Sequence, residues 1–394
     1  MLHFLLGTAG SGKTNRIRHC IAERVKNGES GIVLLTPEQY TFESERALLQ
    51  LLGATAADRA EVLSFTKMVE YIGTDAECFS KPHADTGTRA VAVKRAIAGV
   101  HDELRVLCNV KLTPEFILSM LDIITELKQC NVTGDMLYSS SLSADNKAFA
   151  DKMHDISLIM SAYESILGER YIDPDDDLML LCSVLDSSNY FCGKTVYIDA
   201  FDGFTLQQYK ILERIIATAK DVYASFCTDS LHDDKMGTGV FSNVKREIAR
   251  FTSIAKSNNI AVAKPEMLVD SVRFENDELK TIERIMRGEF EVTECDCDKV
   301  TICEASTLYD EVDYAARTIK KLVRTDGYRY RDFTIIVRSM DDYRHIFDSA
   351  FGRYEIPCYL DKRADNSDLM LLSYVFNMLK TASMGFSREN IFLL

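Results

Sequence analysis

The sequence predicts an α/β protein: a parallel sheet that carries a phosphate-binding loop, a long helical insertion, and then a second αβ unit. Three observations carry this. Gly7-Thr8-Ala9-Gly10-Ser11-Gly12-Lys13-Thr14 has the form G-x-x-x-x-G-K-[ST] and lies between an apolar run, Leu2–Leu6, and a helical stretch, Thr14–Val25. Strand and helix signals alternate up to Ser64 and resume at Lys194. Between them, from Phe65 to about Gly168, the pattern is helical with almost no strand signal.

The loop comes first because its chemistry is the most specific. Glycines let consecutive backbone N–H groups turn into one concavity, so that an anion rests at a helix N-terminus. Ile17, Ile21 and Val25 place one apolar face on the helix that follows. Lys13 would reach the β- and γ-phosphates, and the Thr14 hydroxyl would ligate Mg²⁺. The bland alternative is a Gly-rich turn matching by accident, and the agreement of strand, loop and helix argues against it. The expectation is a nucleoside-triphosphate site.

The elements then follow in order. Lys26–Ser30 is a turn, and Gly31–Leu35 is a continuous apolar run of buried-strand type, stopped by Thr36-Pro37. Glu38–Leu52 is helical and Glu61–Ser64 is a third strand. This rhythm means parallel strands joined by right-handed crossovers. The insertion contains helices over Arg89–Val100, Pro114–Leu127 and Lys147–Leu167, the last with Phe149, Met153, Ile156, Met160, Tyr163 and Ile166 at helical steps. Its length, roughly 110–130 residues, is that of a small domain. Asp173-Pro174-Asp175-Asp176-Asp177 lacks the alternating ligands and closing glutamate of a calcium loop, and reads better as a cap on a helix over Leu178–Leu185.

The sheet resumes at Lys194–Asp199, an apolar strand ending in a carboxylate. Apolar strands ending in Asp are common, but in a chain with a phosphate loop this one has the form of a Walker B segment. Asp199 would hold Mg²⁺ from a strand expected next to the loop's own strand. Many such sites place Glu immediately afterwards as the base for the attacking water. Here that position is Ala200, whose methyl group takes no proton. Asp202 is two residues away, a shift that rarely preserves in-line geometry. The chain is therefore equipped to bind ATP and Mg²⁺ and poorly equipped for hydrolysis.

Beyond this lie a helix at Leu206–Ala219, a strand at Asp221–Phe226, a loop over 230–240 with Asp233 and Asp234, and helices in Phe241–Ser257 and Asn276–Phe290. The second unit is expected to hold strands at Val300–Cys303, Phe333–Val337 and Cys358–Leu360. Its helices are expected from Leu308 to Leu322, Asp341 to Phe351 and Leu369 to Thr381. Leu308, Val312, Ala315, Ile319 and Leu322 mark the apolar face of the first of these. The terminal run Phe392–Leu394 suggests that the chain stops inside a domain.

Bulk composition sets limits. At 394 residues the chain has room for two or three domains, and 46% hydrophobic with 27% charged residues is ordinary for a soluble globular protein. A net charge of −14 means that any DNA contact must come from a local basic patch or a partner subunit. The eleven cysteines form no disulfide framework, which suggests reduced thiols in a cytoplasm. Cys295, Cys297 and Cys303 cluster without a CxxC or a neighbouring histidine, so zinc would lack a fourth ligand. No apolar run approaches the roughly 18 residues of a membrane span, and no charged segment precedes Leu2–Leu6. A soluble, unsecreted protein without a membrane role is expected.

At this point the residues resemble a known family. The phosphate loop, then Leu35-Thr36-Pro37-Glu38-Gln39-Tyr40-Thr41-Phe42-Glu43, then Tyr197–Thr205 are similar to the AddB subunit of bacterial AddAB helicase–nucleases. Gly327–Asp332 and Ile356–Asp361 add to the likeness, which runs along the whole chain. P-E-Q-x-x-F-E and D-x-F-x-x-F-T are fairly specific together. The resemblance implies a superfamily 1 helicase-like fold: a first RecA-like domain from 1–66 and 190–295, a helical insertion at 67–189, and the truncated start of a second RecA-like domain over 296–394. It implies ATP and Mg²⁺ as cofactors held by Gly7–Thr14, Gln39 and Asp199. It also implies an AddA-type helicase–nuclease partner, single- and double-stranded DNA as substrates, and a role in resecting double-strand breaks, with recognition of the Chi sequence. The nuclease domain and the iron–sulfur cysteines of such a protein would lie beyond this chain, so Cys295, Cys297 and Cys303 are not given that role. Ser64-Phe65-Thr66 resembles the helicase segment that touches the DNA strand. Phe65 either stacks on a base or sits in the core.

Two departures matter. Where superfamily 1 has Asp-Glu-x-Gln-Asp, this chain has Asp199-Ala200-Phe201-Asp202-Gly203. No Asn-Tyr-Arg-Ser segment is evident, so the arginine that would contact the γ-phosphate is not identifiable. The expectation is a non-motor, ATP-binding helicase-like protein. An active translocase is the first alternative, opposed by Ala200. A small-molecule P-loop kinase is the other, opposed by the second αβ unit.

Overall fold

The computed structural model describes residues 1–53, 57–73, 76–231, 237–288, 298–360 and 370–384. Cys295, Cys297, Asp233, Asp234, Asp361 and the run Phe392–Leu394 lie outside them, as does the far end of the helix expected to reach Phe290. The chain divides into two compact units, Met1–Lys299 and Val300–Leu394.

The first unit is built on a six-stranded parallel sheet. Its strands are β1 (Leu2–Gly7), β2 (Ile32–Leu35), β3 (Ala60–Leu63), β4 (Thr195–Ile198), β5 (Asp221–Cys227) and β6 (Glu266–Leu268), in spatial order β3-β2-β4-β5-β1-β6. β2 and β4 are buried at every position. That matches their unbroken apolar runs, because a parallel sheet is covered on both faces. β6 was not expected: three residues, two of them exposed, leave little apolar signal.

Helices α1 (Lys13–Lys26) and α2 (Thr41–Leu52) cover one face, where Ile17, Ile21, Val25 and Leu48 meet Leu5, Leu34 and Tyr197. The other face is covered by α3 (Phe65–Gly73), α8 (Asp177–Ser187), α9 (Leu206–Thr218) and α10 (Ser242–Ser257). Between α3 and α8 the chain forms a separate all-helical core from α4 (Thr86–Gly99), α5 (Pro114–Gln129), α6 (Gly134–Ser143) and α7 (Lys147–Gly168). Side chains of Asp85, Thr113, Thr133 and Asn146 accept from the first turns of these four helices and so set where each begins. The separate core lies between Ala84 and Tyr171. The helices at its two ends, α3 and α8, pack on the sheet. A short helix, α11 (Asp277–Met286), follows β6.

Asp173 caps the short turn Pro174–Asp176, as the acidic run suggested, but the run does more than cap. Asp173 and Asp176 meet Lys128 of α5 at 2.9 and 2.8 Å, and Arg89 of α4 meets Asp173 at 3.2 Å and pairs also with Asp175. Burial alone would lower the Lys128 ammonium, but the Asp176 and Asp173 carboxylates beside it hold it above the usual lysine range.

The second unit contains α12 (Leu308–Thr325), α13 (Met340–Arg353) and α14 (Met370–Met384). Val312, Ala316 and Ile319 of α12 pack on Ile346, Phe347, Ala350 and Phe351 of α13. The buried ridge thus uses Ala316 rather than the expected Ala315, and Leu308 is exposed. The three expected strands here are not formed. Segments 300–303, 333–337 and 358–360 have no ladder partner among the described residues, and Ile302, Ile336 and Tyr359 are exposed. An apolar run becomes a strand only when a neighbour takes its backbone hydrogen bonds.

Candidate functional site

β1 delivers the chain to the loop and α1 leaves it. Gly7 closes β1 beside Cys227 of β5 and Leu268 of β6. A Cβ at Gly7 would lie 2.4 Å from the Ser11 hydroxyl and 2.9 Å from the Leu268 carbonyl, so only glycine fits. Gly10 and Gly12 take φ of 79° and 87°, the left-handed region. Gly12 is the N-cap of α1 and no side chain caps that helix, so its first N–H groups stay open toward the loop. The Lys13 ammonium donates to the carbonyls of Gly7 and Thr8, each at 2.8 Å. Burial pushes it below the ordinary lysine range, with Cys227 and Asp199 pulling partly back.

A cavity of about 560 Å³ opens over this loop. Gly10, Gly12, Lys13 and Thr14 line it together with Asp199 and Ala200, while Thr36, Tyr40, Glu43 and Ser44 form the side toward α2. Asp199 is 3% exposed and accepts from the Ser225 hydroxyl of β5. The strand carrying it was expected next to β1, and this is corrected: β5 lies between β4 and β1. Ser225 on that intervening strand bridges the gap. Strand order is a tertiary property that no apolar run encodes.

Of the other expected residues, Gly7, Thr8, Ala9 and Ser11 form the loop beneath the cavity. Gln39 is exposed, in the turn Glu38–Tyr40, and does not line the cavity; its neighbour Tyr40 does. Asp202 is exposed and also outside the lining. Ser64 and Phe65 are buried, and the Phe65 ring stands edge-on to Phe201 at 5.8 Å and to Phe204 at 6.4 Å. Of the two readings of Phe65 the structure has the core one, and only Thr66 of the three residues is exposed.

Two arginines were missed. Arg273 lines the cavity because the loop after β6 folds over the phosphate loop, with the Val272 and Arg273 N–H groups donating to the Gly10 carbonyl at 2.9 and 3.1 Å. The signal, a three-residue strand, was too short to read. Arg18 lines the opposite side, one helical turn beyond Thr14. Buried polar atoms without partners cluster at this site: the Ser11 Oγ, the Thr36 Oγ1 and the Arg18 Nε. Such groups cost free energy unless something else completes them. A triphosphate with Mg²⁺ fits this donor set of cations, open N–H groups, hydroxyls and a carboxylate.

Among the described residues, no group of three or more His, Cys, Asp or Glu side chains is placed to hold a metal by itself. Nor, among them, is any helix long and apolar enough to cross a membrane.

Comparison with known proteins places the chain. Residues 4–283 match the family described as "ADDB, N-terminal". Proteins named as the B-type subunit of an ATP-dependent helicase/deoxyribonuclease align with nearly all of it. The one from Acetivibrio thermocellus is 32% identical over 414 residues, and that from Clostridioides difficile is 32% identical over 400. The one from Thermoanaerobacter pseudethanolicus is 30% identical over 396. Each alignment covers 99% of this chain but only 34–36% of the relative, so the chain spans about a third of their length. With the family model matched along most of its length, the chain belongs to the AddB N-terminal family.

Proposed function

We propose that this chain is the ATP-binding, non-motor helicase-like region of an AddB-type protein, acting with an AddA-type partner on DNA double-strand ends in the cytoplasm. The supporting observation is the cavity over the phosphate loop, where Lys13, Thr14 and Asp199 converge with three buried, unpartnered polar atoms. The names of the relatives support the DNA substrate and the partner subunit. Residues 296–394 are proposed as the start of a second RecA-like domain. Any nuclease site and iron–sulfur cluster are placed outside this chain.

Within the site, the loop N–H groups and Lys13 bind and orient the phosphates, with Arg273 adding a cation from the folded-over loop. Thr14 and Asp199 would hold Mg²⁺, which supplies charge neutralisation at the β- and γ-oxygens when bound. Ser225 fixes the Asp199 carboxylate through its hydroxyl. At the position of a base there is a methyl group, and the Ala200 backbone turns through φ 64° there. Glu43 is the other carboxylate on the lining, and it faces Arg18. Among the described residues, the position after Asp199 therefore carries no group that takes a proton from water.

The experiment is nucleotide binding and turnover measured on one sample, with Lys13→Ala as control. Tight ATP·Mg²⁺ binding that the control loses, without DNA-stimulated turnover, is the expected result. Brisk DNA-dependent hydrolysis would overturn the non-motor reading, and absence of binding would overturn the site.

A further inference from the structure

We infer that Arg18 reads the terminal phosphate, so that the site distinguishes a nucleoside triphosphate from a diphosphate by a cation supplied from the helix of the phosphate loop itself. This rests on the nucleotide-site reading above and goes beyond it. Thr14 and Asp199 are the residues that would hold Mg²⁺, whose charge would offset that of the terminal phosphates, so they mark the γ end. β2 and β4 are neighbours with Leu35 beside Ile198, and the Asp199 N–H donates to the Leu35 carbonyl at 3.0 Å. That sets Thr36 next to Asp199 at the carboxyl ends of two adjacent strands. Arg18 lines the same cavity. It lies four residues after Thr14, hence on the same face of α1.

The state of the Arg18 side chain is what points to a ligand. Its side chain is 17% exposed, and its Nε is buried without a hydrogen-bond partner. Its nearest carboxylate, Glu43, is 3.7 Å away and 71% exposed. That distance is an ion pair without hydrogen-bond contact, and an exposed pair of this kind holds little free energy. The side chain that lines the cavity therefore has an unused donor and only a loose tether. Thr36, 2% exposed with an unpartnered hydroxyl, adds a second orphan donor on the same side. A phosphate oxygen would satisfy both, and planar guanidinium geometry suits it. Lys13, by contrast, is engaged by the Gly7 and Thr8 carbonyls, and Arg273 lies toward the Gly10 side.

The test measures the affinity of the native chain and of Arg18→Ala for a non-hydrolysable ATP analogue and for ADP, each with Mg²⁺. The expected result is a loss of about tenfold or more for the analogue, the scale of one hydrogen bond to a charged group, and less than about twofold for ADP. Retained ADP binding is also the control that the variant folds. Equal losses for both nucleotides in a folded variant, or no loss for either, would overturn the assignment of Arg18. If neither nucleotide binds the native chain, the site reading itself fails, which is a different result. Should Arg18→Ala lower the melting temperature so far that ADP binding is lost, Arg18→Gln keeps the apolar stem and is judged by the same ratio. Arg18→Lys should recover only part of the discrimination, because a single ammonium lacks the fork.

Discussion

Lys128 and Asp173 form an ion pair at 2.9 Å in which the two side chains are only 5% and 3% exposed. Around it, Asp176 meets the same ammonium at 2.8 Å and the Tyr163 hydroxyl donates to Asp173 at 2.8 Å. The Gln207 carboxamide donates to the Lys128 and Asp175 carbonyls at 2.9 and 3.0 Å. Because Gln207 opens α9, the helix after the Asp199 strand, this network ties the helical core to the sheet. Removing Lys128 leaves the buried Asp173 with only Arg89 and the Tyr163 hydroxyl as partners, so Lys128→Ala should cost about 1–3 kcal/mol. Denaturant unfolding measures it; a loss under about 1 kcal/mol would mean that water takes over the carboxylates.

The same pair gives a pH signature. Lys128 is held above its ordinary value, so its contribution is fully present below the unfolded lysine value, about 10.4, and fades as pH rises through the folded one. Asp173 works at the other limit. Burial would raise it, but Lys128 and its hydrogen bonds hold it below the usual range, so its contribution is lost as pH falls below about 3.9. Asp176 is shifted upward by burial and opposes Asp173 in acid, which leaves the alkaline limb as the clean one. The stability difference between the native chain and Lys128→Met should be constant through neutral pH and shrink only above about pH 10.4. A difference that stays flat into strong alkali would refute the coupling.

Phe65 separates a core role from a DNA-facing one. Its ring packs into the aromatic cluster of Phe201, Phe204, Tyr209 and Phe251 under the Asp199 strand. Phe65→Ala should therefore cost about 3–5 kcal/mol in stability. Phe65→Leu, which keeps most of the volume, should cost under about 1.5 kcal/mol. If both variants keep native stability while a DNA-binding activity is lost, the ring is working at the surface.

What could be read in advance follows from the range of each signal. The phosphate loop, β1, β2, β4 and the long helices announce themselves through contiguous spacing and periodicity; the strand limits came within a residue, while helices such as α2, α4 and α12 differ by three residues at one end. Strand order did not, because β5 enters between β1 and β4 only through tertiary pairing. Arg273 was invisible because its place depends on two backbone hydrogen bonds to Gly10. Arg18 looked like one polar residue on an amphipathic helix. In the second unit the apolar runs at 300–303 and 333–337 read as strands, since sequence records the tendency to pair and not the presence of a partner.

Ala200 holds φ 64°, a left-handed conformation that costs a residue with a Cβ roughly 1 kcal/mol or more. It is exposed at the rim of the cavity, so Ala200→Gly removes strain without emptying a core. The variant should be more stable by a few tenths to about 1 kcal/mol, with the freer unfolded chain offsetting part of the gain. Nucleotide affinity should be unchanged. A destabilised variant would mean that the methyl group makes contacts outweighing the strain.

Gly10 tests whether the folded-over loop matters for binding. Its carbonyl accepts from Val272 and Arg273, and a methyl group there would stand 2.9 Å from the Arg273 Cβ and 3.2 Å from the Phe274 ring, at a φ of 79°. Gly10→Ala must therefore push the loop away and take Arg273 out of the cavity. If Arg273 contributes one charge-assisted contact to the phosphates, ATP·Mg²⁺ should bind about tenfold more weakly to Gly10→Ala and to Arg273→Ala alike. The double variant then decides the mechanism. If glycine acts through the position of Arg273, the two losses overlap and the double is little weaker than either single. Losses that add in free energy would mean that Gly10 shapes the phosphate cradle directly and that Arg273 acts on its own.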